Sequence, residues 1–339
     1  MSVMNVLRKG LLAATLPVVA VLAAVGLAIA PSAQAANMAP ARASAGLHVT
    51  GKVDLGGLGT AFSYVLTEGP NGDVYYSRGS VVYVVKGDHA PVAALHASGT
   101  VLAVAANAAD LFVDVSNKLF AYTLSNGHLA GTWTLPSVAK VTSAGLYPVG
   151  GTVWVFTDWA TDESGFEYAN VDRVSVGSPT VHRVAVNDAY PADMAADSAG
   201  LYFQETVGFH NYVFHAQPAG ALSKHADANV DAPLAVAAGN AYLLAIHESQ
   251  GGHAYVDAFR GSTLAPLFSI RVSDSDNDIA GTGIGLLLVG GGKVSLLNTG
   301  NGHAASVLSV PGAVTLVPGP SAAVVTVVKS VTYLVRLAG

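Results

Sequence analysis

His247, Glu248 and His253 are the residues of this chain best placed for chemistry. Two imidazoles and a carboxylate in one short stretch can hold a zinc ion or act as general acid and base. Gly251-Gly252 between them reads as a hairpin tip, and an exposed turn is the plain alternative. Asp274, Asp276 and Asp278 form a second group. Their D-x-D-x-D spacing offers hard oxygen ligands, so calcium is the one cofactor the sequence suggests. The rest of an EF-hand loop is missing, since Ile279 stands where the sharp turn needs Gly and Gly285 where the bidentate Glu belongs. A solvated acidic turn is the competing reading. A third group is polar and aromatic: Asp158, Trp159, Asp162, Glu163, Glu167, Tyr190, Glu205 and His210. Carboxylates there could bind a ligand, and the aromatics could stack on a sugar or anchor a protein. Neither a G-x-S-x-G nucleophile elbow nor a G-x-G-x-x-G in strand–helix context is present.

These residues need a scaffold, and the chain is rich in strand signals. Of 339 residues, 51% are hydrophobic, only 11% are charged and 37 are Gly. That is the makeup of many short strands joined by tight turns. From Leu47 onward, runs of apolar residues alternate with turn residues, and no window carries the 3.6-residue period of an amphipathic helix. The stretch 191–206, PADMAADSAGLYFQET, shows the unit clearly. It is two strand-like runs around Asp197-Ser198-Ala199-Gly200, a tight hairpin.

The second strand of that hairpin recurs. Its anchors are Val74, Leu111, Val153, Leu201, Ala241, Leu286 and Ala323, at spacings of 37, 42, 48, 40, 45 and 37. A strand-only repeat of this period predicts an all-β propeller of four-stranded blades, seven by the count of anchors, with six or eight as the alternatives. The last repeat holds three strands, so the strand-like run 47–55 is expected to supply the fourth and close the ring. In such a blade the B–C connection and the link to the next blade open on one face. On that reading 158–167, 205–211 and 247–253 are long polar B–C loops of blades 3, 4 and 5, and 274–278 is a loop into blade 6. Nearly half of the 22 acidic residues then gather on one rim. Crowded carboxylates there predict raised pKa values and stability that is flat or rising from neutral pH toward about pH 4.

The motif P-x-D-M-A-x-D-x-x-G-L-Y-F at 191–203, and E-G-P-N-G-D-V-Y-Y at 68–76, resemble blades of the NHL, YncE-like and virginiamycin B lyase-like propellers. The resemblance implies a fold whose members include ligand binders, protein binders and some enzymes. It carries no catalytic residue over to this chain.

At the N-terminus, Arg8 and Lys9, an apolar run from Leu11 to Ala30 and Ala33-Gln34-Ala35 read as an export signal over 1–35, with an uncleaved anchor as the alternative. Residues 36–46 read as a flexible lead-in and 47–339 as the propeller domain. Loss of the signal leaves 14 basic against 22 acidic residues, a charge of −8. No basic cluster remains, which argues against nucleic acid or an anionic membrane as partner. With no cysteine, disulfides and thiolate metal sites are excluded. The expected function is an exported, monomeric binding or scaffolding module for a protein, glycan or small-molecule ligand. Two alternatives stand beside it: a lyase or hydrolase using His247, Glu248 and nearby carboxylates, and a structural cell-surface protein.

Overall fold

The computed structural model describes residues 46–56, 66–136, 144–157, 169–187, 194–207, 210–218, 221–227, 232–247 and 250–339. The proposed signal and most of the lead-in lie outside them. Alternating apolar and polar residues, cut by Gly, Asn and Ser turns, fold into 28 strands in seven four-stranded antiparallel sheets. The strand β1 (His48–Gly56) comes first. Blade 1 is β2 (Leu66–Glu68), β3 (Val74–Arg78), β4 (Val81–Val85) and β5 (Val92–His96). Blade 2 is β6 (Ala103–Ala106), β7 (Asp110–Val115), β8 (Lys118–Thr123) and β9 (Leu129–Thr134). Blade 3 is β10 (Ala144–Val149), β11 (Thr152–Thr157), β12 (Ala169–Ser175) and β13 (Val181–Asn187). Blade 4 is β14 (Met194–Asp197), β15 (Gly200–Val207), β16 (His210–Ala216) and β17 (Leu222–Asp227). Blade 5 is β18 (Leu234–Ala237), β19 (Asn240–His247), β20 (His253–Arg260) and β21 (Ala265–Arg271). Blade 6 is β22 (Asp276–Thr282), β23 (Gly285–Gly290), β24 (Lys293–Leu297) and β25 (Ala304–Ser309). Blade 7 is β26 (Ala313–Val317), β27 (Ala322–Val328) and β28 (Val331–Ala338), with β1 as its outer strand.

The core lies between blades rather than within one. Each second strand turns alternate residues to the blade before and the blade after. Leu111 and Val113 join Tyr75 and Val82 in the blade 1/2 interface, while Phe112 joins Val153 and Val155 in the blade 2/3 interface. Seven apolar clusters fill the seven interfaces, including the one that joins blade 7 to blade 1. By this criterion the repeat anchor of blade 7 is Ala322, not Ala323. Ala322 packs toward blade 6, as the other anchors pack toward the blade before them, whereas Ala323 faces blade 1. A slip of one residue exchanges the two faces of a strand.

The hairpin at 191–206 forms as expected. Asp197 pairs with Gly200, and the Asp197 carboxylate accepts the Ala199 N–H at 2.8 Å. Gly200 is required there, because a Cβ would sit 2.1 Å from the Ala216 carbonyl oxygen.

Closure uses the N-terminal strand. β1 pairs antiparallel with β28, from His48 opposite Ala338 to Gly56 opposite Thr332. The seam between blades 7 and 1 is locked by Glu68, whose side chain is fully buried. Its carboxylate accepts the Ser321 N–H at 2.8 Å and the Ser321 hydroxyl. Arg336 of β28 lies 4.0 Å from it and donates to the Gly72 and Gly87 carbonyls of blade 1 at 2.7 and 3.0 Å. Burial still holds the Glu68 carboxyl above its ordinary range, against the pull of the Ser321 N–H and Arg336.

Other carboxylates are buried too. Asp114 on β7 is fully buried and neither oxygen has a hydrogen-bond partner among the described residues, so desolvation pushes its pKa up to about 8. Asp172 is raised by burial although Arg183 donates to it at 2.5 Å. Carboxylates buried between strands therefore give a source, apart from the rim, for the acid behaviour expected from the sequence.

Two outcomes follow from this architecture. Deleting residues 46–56 exposes the edge of β28 and uncovers Val53 and Leu55 in the blade 7/1 core, so the truncated protein should aggregate or melt at least ~10 °C lower. An unchanged melting temperature would contradict closure by β1. The second outcome concerns Asp114, which takes up a proton on folding between its unfolded pKa near 3.8 and its folded value of about 8. Stability should therefore fall as pH rises through that window, and the penalty is absent below it. Asp114→Val should flatten that slope and add about 1–3 kcal/mol at pH 8, the usual cost of an unpaired buried polar group. Thermal melts of both proteins from pH 4 to 9 check the sign.

Candidate functional site

The chemistry-bearing residues of blade 5 sit at the end of its central hairpin. β19 and β20 pair in register until His247 stands directly opposite His253. Gly251 and Gly252, at φ 87° and 70°, make the reversal, and the Gly252 N–H donates to the His247 carbonyl at 3.1 Å. The two histidines are thus strand residues that end the ladder, and only the residues between them form the turn.

His247 is built into a dyad. Its Nε2 lies 2.6 Å from Asp257 Oδ2, and its ring stacks on Tyr255 with centroids 4.4 Å apart. The imidazole is 17% exposed and Asp257 only 11%. A half-sequestered carboxylate on one ring nitrogen fixes the tautomer and leaves Nδ1 as the basic nitrogen of the neutral ring. Strand alternation puts His247 on the side of β19 that carries Leu243 and Ala245. Both of these pack against Tyr202 and Val213 of blade 4. The same interface holds several buried polar atoms without partners among the described residues: Tyr202 OH, Gln204 Nε2, His215 Nδ1 and Asp257 Oδ1.

His253 belongs to a second, more open cluster. Its Nδ1 is 3.0 Å from Asp274 Oδ2 and 2.9 Å from Arg271 Nη2. A protonated Nδ1 donates to the carboxylate, and a bare one accepts from the guanidinium. Arg271 itself comes within 3.7 Å of Asp274. The Ala254 N–H donates to Asp274 Oδ1 at 3.0 Å, and this bond, then the one with His253, holds the Asp274 carboxyl below the usual range. At Asp274 hydrogen bonding lowers the carboxyl, whereas burial raises Asp276 and Asp278.

The D-x-D-x-D run does not form a loop. Asp276 opens β22 and Asp278 lies within it. Asp278 accepts from the Ile279 and Leu316 N–H groups, both at 2.8 Å, and from the Thr315 hydroxyl, which ties blade 6 to blade 7. Asp276 accepts the Ser273 N–H at 3.0 Å. The three carboxylates serve three separate sets of donors, and among the described residues no three His, Asp or Glu side chains converge as metal ligands.

The other sequence-predicted residues divide. Asp158, Trp159, Asp162, Glu163, Glu167, Tyr190 and Glu248 lie outside the described residues. Glu205 and His210 are strand residues, opposite Tyr212 and Val207 respectively, so the B–C connection of blade 4 shrinks to residues 208 and 209. Blade 4 is thereby corrected from a long loop to a tight hairpin, because its strands pair right up to the turn. Trp154 is buried core, 1% exposed, with Arg173 over its ring at 5.7 Å.

Sequence reasoning missed Asp257, Tyr255 and Arg271. Asp257 carried the clearest signal, as a charged residue within the strand run HAYVDAF, two positions from each of Tyr255 and Phe259.

No protein-family model matches this chain, and no curated protein does. The likeness to NHL, YncE-like and virginiamycin B lyase-like blades thus rests on the repeat motif alone. Solved structures do match in fold. A chain of a mitotic checkpoint complex aligns with TM-score 0.60 at 12% identity, over 88% of this chain and 96% of that one. The β-propeller domain of Cps50 (Swd1) from Myceliophteria thermophila aligns with TM-score 0.55 at 12% identity, over 86% and 99%. BBS1N, in a complex with ARL6DN, aligns with TM-score 0.54 at 13% identity, over 86% and 97%. At such identities the likeness speaks for the fold.

Asp274→Asn should loosen the hairpin end, since it weakens the acceptor of the Ala254 N–H. Hydrogen exchange at that amide should rise about fivefold, equivalent to ~1 kcal/mol of lost hydrogen bond, with the far strands unchanged. Equal exchange in both proteins would show that Asp274 does not hold this end of the ladder.

Across the described residues, the seven closed blades and these solved likenesses make the chain a seven-bladed β-propeller.

Proposed function

We propose that this protein is an exported binding module whose working surface is the face bearing the B–C hairpins of blades 3 to 5 and the link into blade 6. The observation that carries this reading is the cluster at the end of β19–β20. His253, Arg271 and Asp274 are 35, 55 and 51% exposed, yet already held together by hydrogen bonds. Preordered polar groups on a rigid scaffold lose little entropy when a partner binds. In blade 3 eleven residues separate β11 from β12, where the corresponding strands of blades 1, 2 and 7 are two residues apart. Chains of like fold occur in the mitotic checkpoint complex and in the BBS1N–ARL6DN complex, which supports a protein as the partner. The likeness of the repeat to NHL and YncE-like blades fits the same role.

A second reading is favoured by the His247–Asp257 dyad. A carboxylate-oriented imidazole is a general base in waiting, and with Glu248 beside it would suit a lyase or hydrolase. The dyad lacks a nucleophile among the described residues, so binding is the reading we adopt.

The test is site-directed photo-crosslinking in the producing cells. A benzophenone amino acid at position 159 or 248 should give a discrete adduct, identified by mass spectrometry, and one at position 128 on the opposite face should not. Equal adducts from all three positions, or none from 159 and 248, would remove the rim from consideration.

A further inference from the structure

We propose that the cleft between blades 1 and 2, on the face opposite the blade 5 rim, binds a small organic anion with an apolar or aromatic body. The cleft encloses about 590 Å³. Ligand pockets commonly span roughly 300–1,000 Å³ with mostly apolar walls. Its floor is Tyr75 and Leu111, from the second strands of the two blades. One wall is β5 and the other is Tyr122 with its neighbours at the end of β8. Lys86 and His89 stand at the C–D turn of blade 1, at the mouth.

Three observations give the ligand its chemistry. First, the walls are apolar and open. Val92 of β5, opposite Val84 of the blade 1/2 core, is 62% exposed, so its side chain stands free at the cleft. Second, Tyr75 and Tyr122 both line the cleft, and neither phenol hydroxyl has a hydrogen-bond partner among the described residues. Two aromatic faces with unused donors suit a flat body that carries an acceptor. Third, the lining itself carries a cation, with the nearby Asp73 carboxylate acting on Tyr75 from outside it. The chain is net −6, yet the only charged side chain on the cleft wall is Lys86, with His89 as the one further titratable group besides the tyrosines. Asp88, which lies between them in sequence, is turned away. It packs against Gly51 of β1 and sits 3.9 Å from Arg336 Nε. Lys86 therefore has no carboxylate partner among the described residues, and an incoming carboxylate, sulfonate or phosphate would supply one. This site is independent of the binding function assigned to the other face.

The probe is 8-anilinonaphthalene-1-sulfonate, titrated into the mature chain and followed by fluorescence, with uncharged N-phenyl-1-naphthylamine as its comparison. One saturable site is expected for each. Lys86→Glu should weaken the sulfonate about tenfold, a change of roughly 1.4 kcal/mol, and leave the neutral amine within about twofold. Val92→Trp should abolish both, with Leu124→Trp as a second filling variant and circular dichroism confirming the fold. Sulfonate binding that survives both filling variants, or that ignores Lys86→Glu, would overturn the assignment, as would the lack of any saturable binding to the unaltered protein.

Discussion

Each blade of this protein is apolar on both faces, and everything else in the structure follows from that. A sheet buried on both sides needs a neighbour on both sides, and a finite row of such sheets ends in two exposed faces unless it becomes a ring. Seven interfaces filled by Val, Leu, Ala and aromatic side chains are the result. The seam between blades 7 and 1 receives the strongest fastening. A strand from the start of the described chain completes the last sheet, and the buried Glu68, with Ser321 and Arg336, spans the joint. Such a joint suits a chain with no disulfide and few ion pairs among its described residues.

The low charge content gives burial an unusual share in the electrostatics. The carboxylates of Glu68, Asp114, Asp172 and Asp278 lie between strands, and desolvation raises each of them. Three of these have hydrogen-bond donors to offset the cost. Asp114 has none, which makes it the least compensated charge site in the described structure. Solvent-facing Asp274 shows the reverse, because there hydrogen bonds cost little desolvation and the charged form is favoured. The two behaviours separate residues that hold the ring together from residues free to meet a ligand.

The order of strands in a blade sends its connections to two faces. B–C hairpins and inter-blade links open on one side, where blade 5 carries its histidine clusters. C–D turns open on the other, where blades 1 and 2 leave a cleft. The inter-blade core supports both, so the side chains at either face are held by the same packing.

Much of the fold was legible in the chain. A strand-only repeat near 40 residues and a final repeat short of one strand point to a closed propeller ring, because strand period and turn chemistry are local properties, and the structure fixes its blades at seven. The candidate histidines were legible as residue types at a hairpin tip. What the sequence could not reveal is who faces whom. That His247 meets Asp257 ten residues on, that Asp278 is spent on blade 7, and that Asp88 turns from the cleft while Lys86 lines it were decided by register and by the packing of one blade on the next. A shift of one residue reverses a strand's faces without changing its composition, as the anchor of blade 7 shows. The pattern of apolar residues therefore determines that blades pack, and only the tertiary structure decides which polar groups that packing brings together.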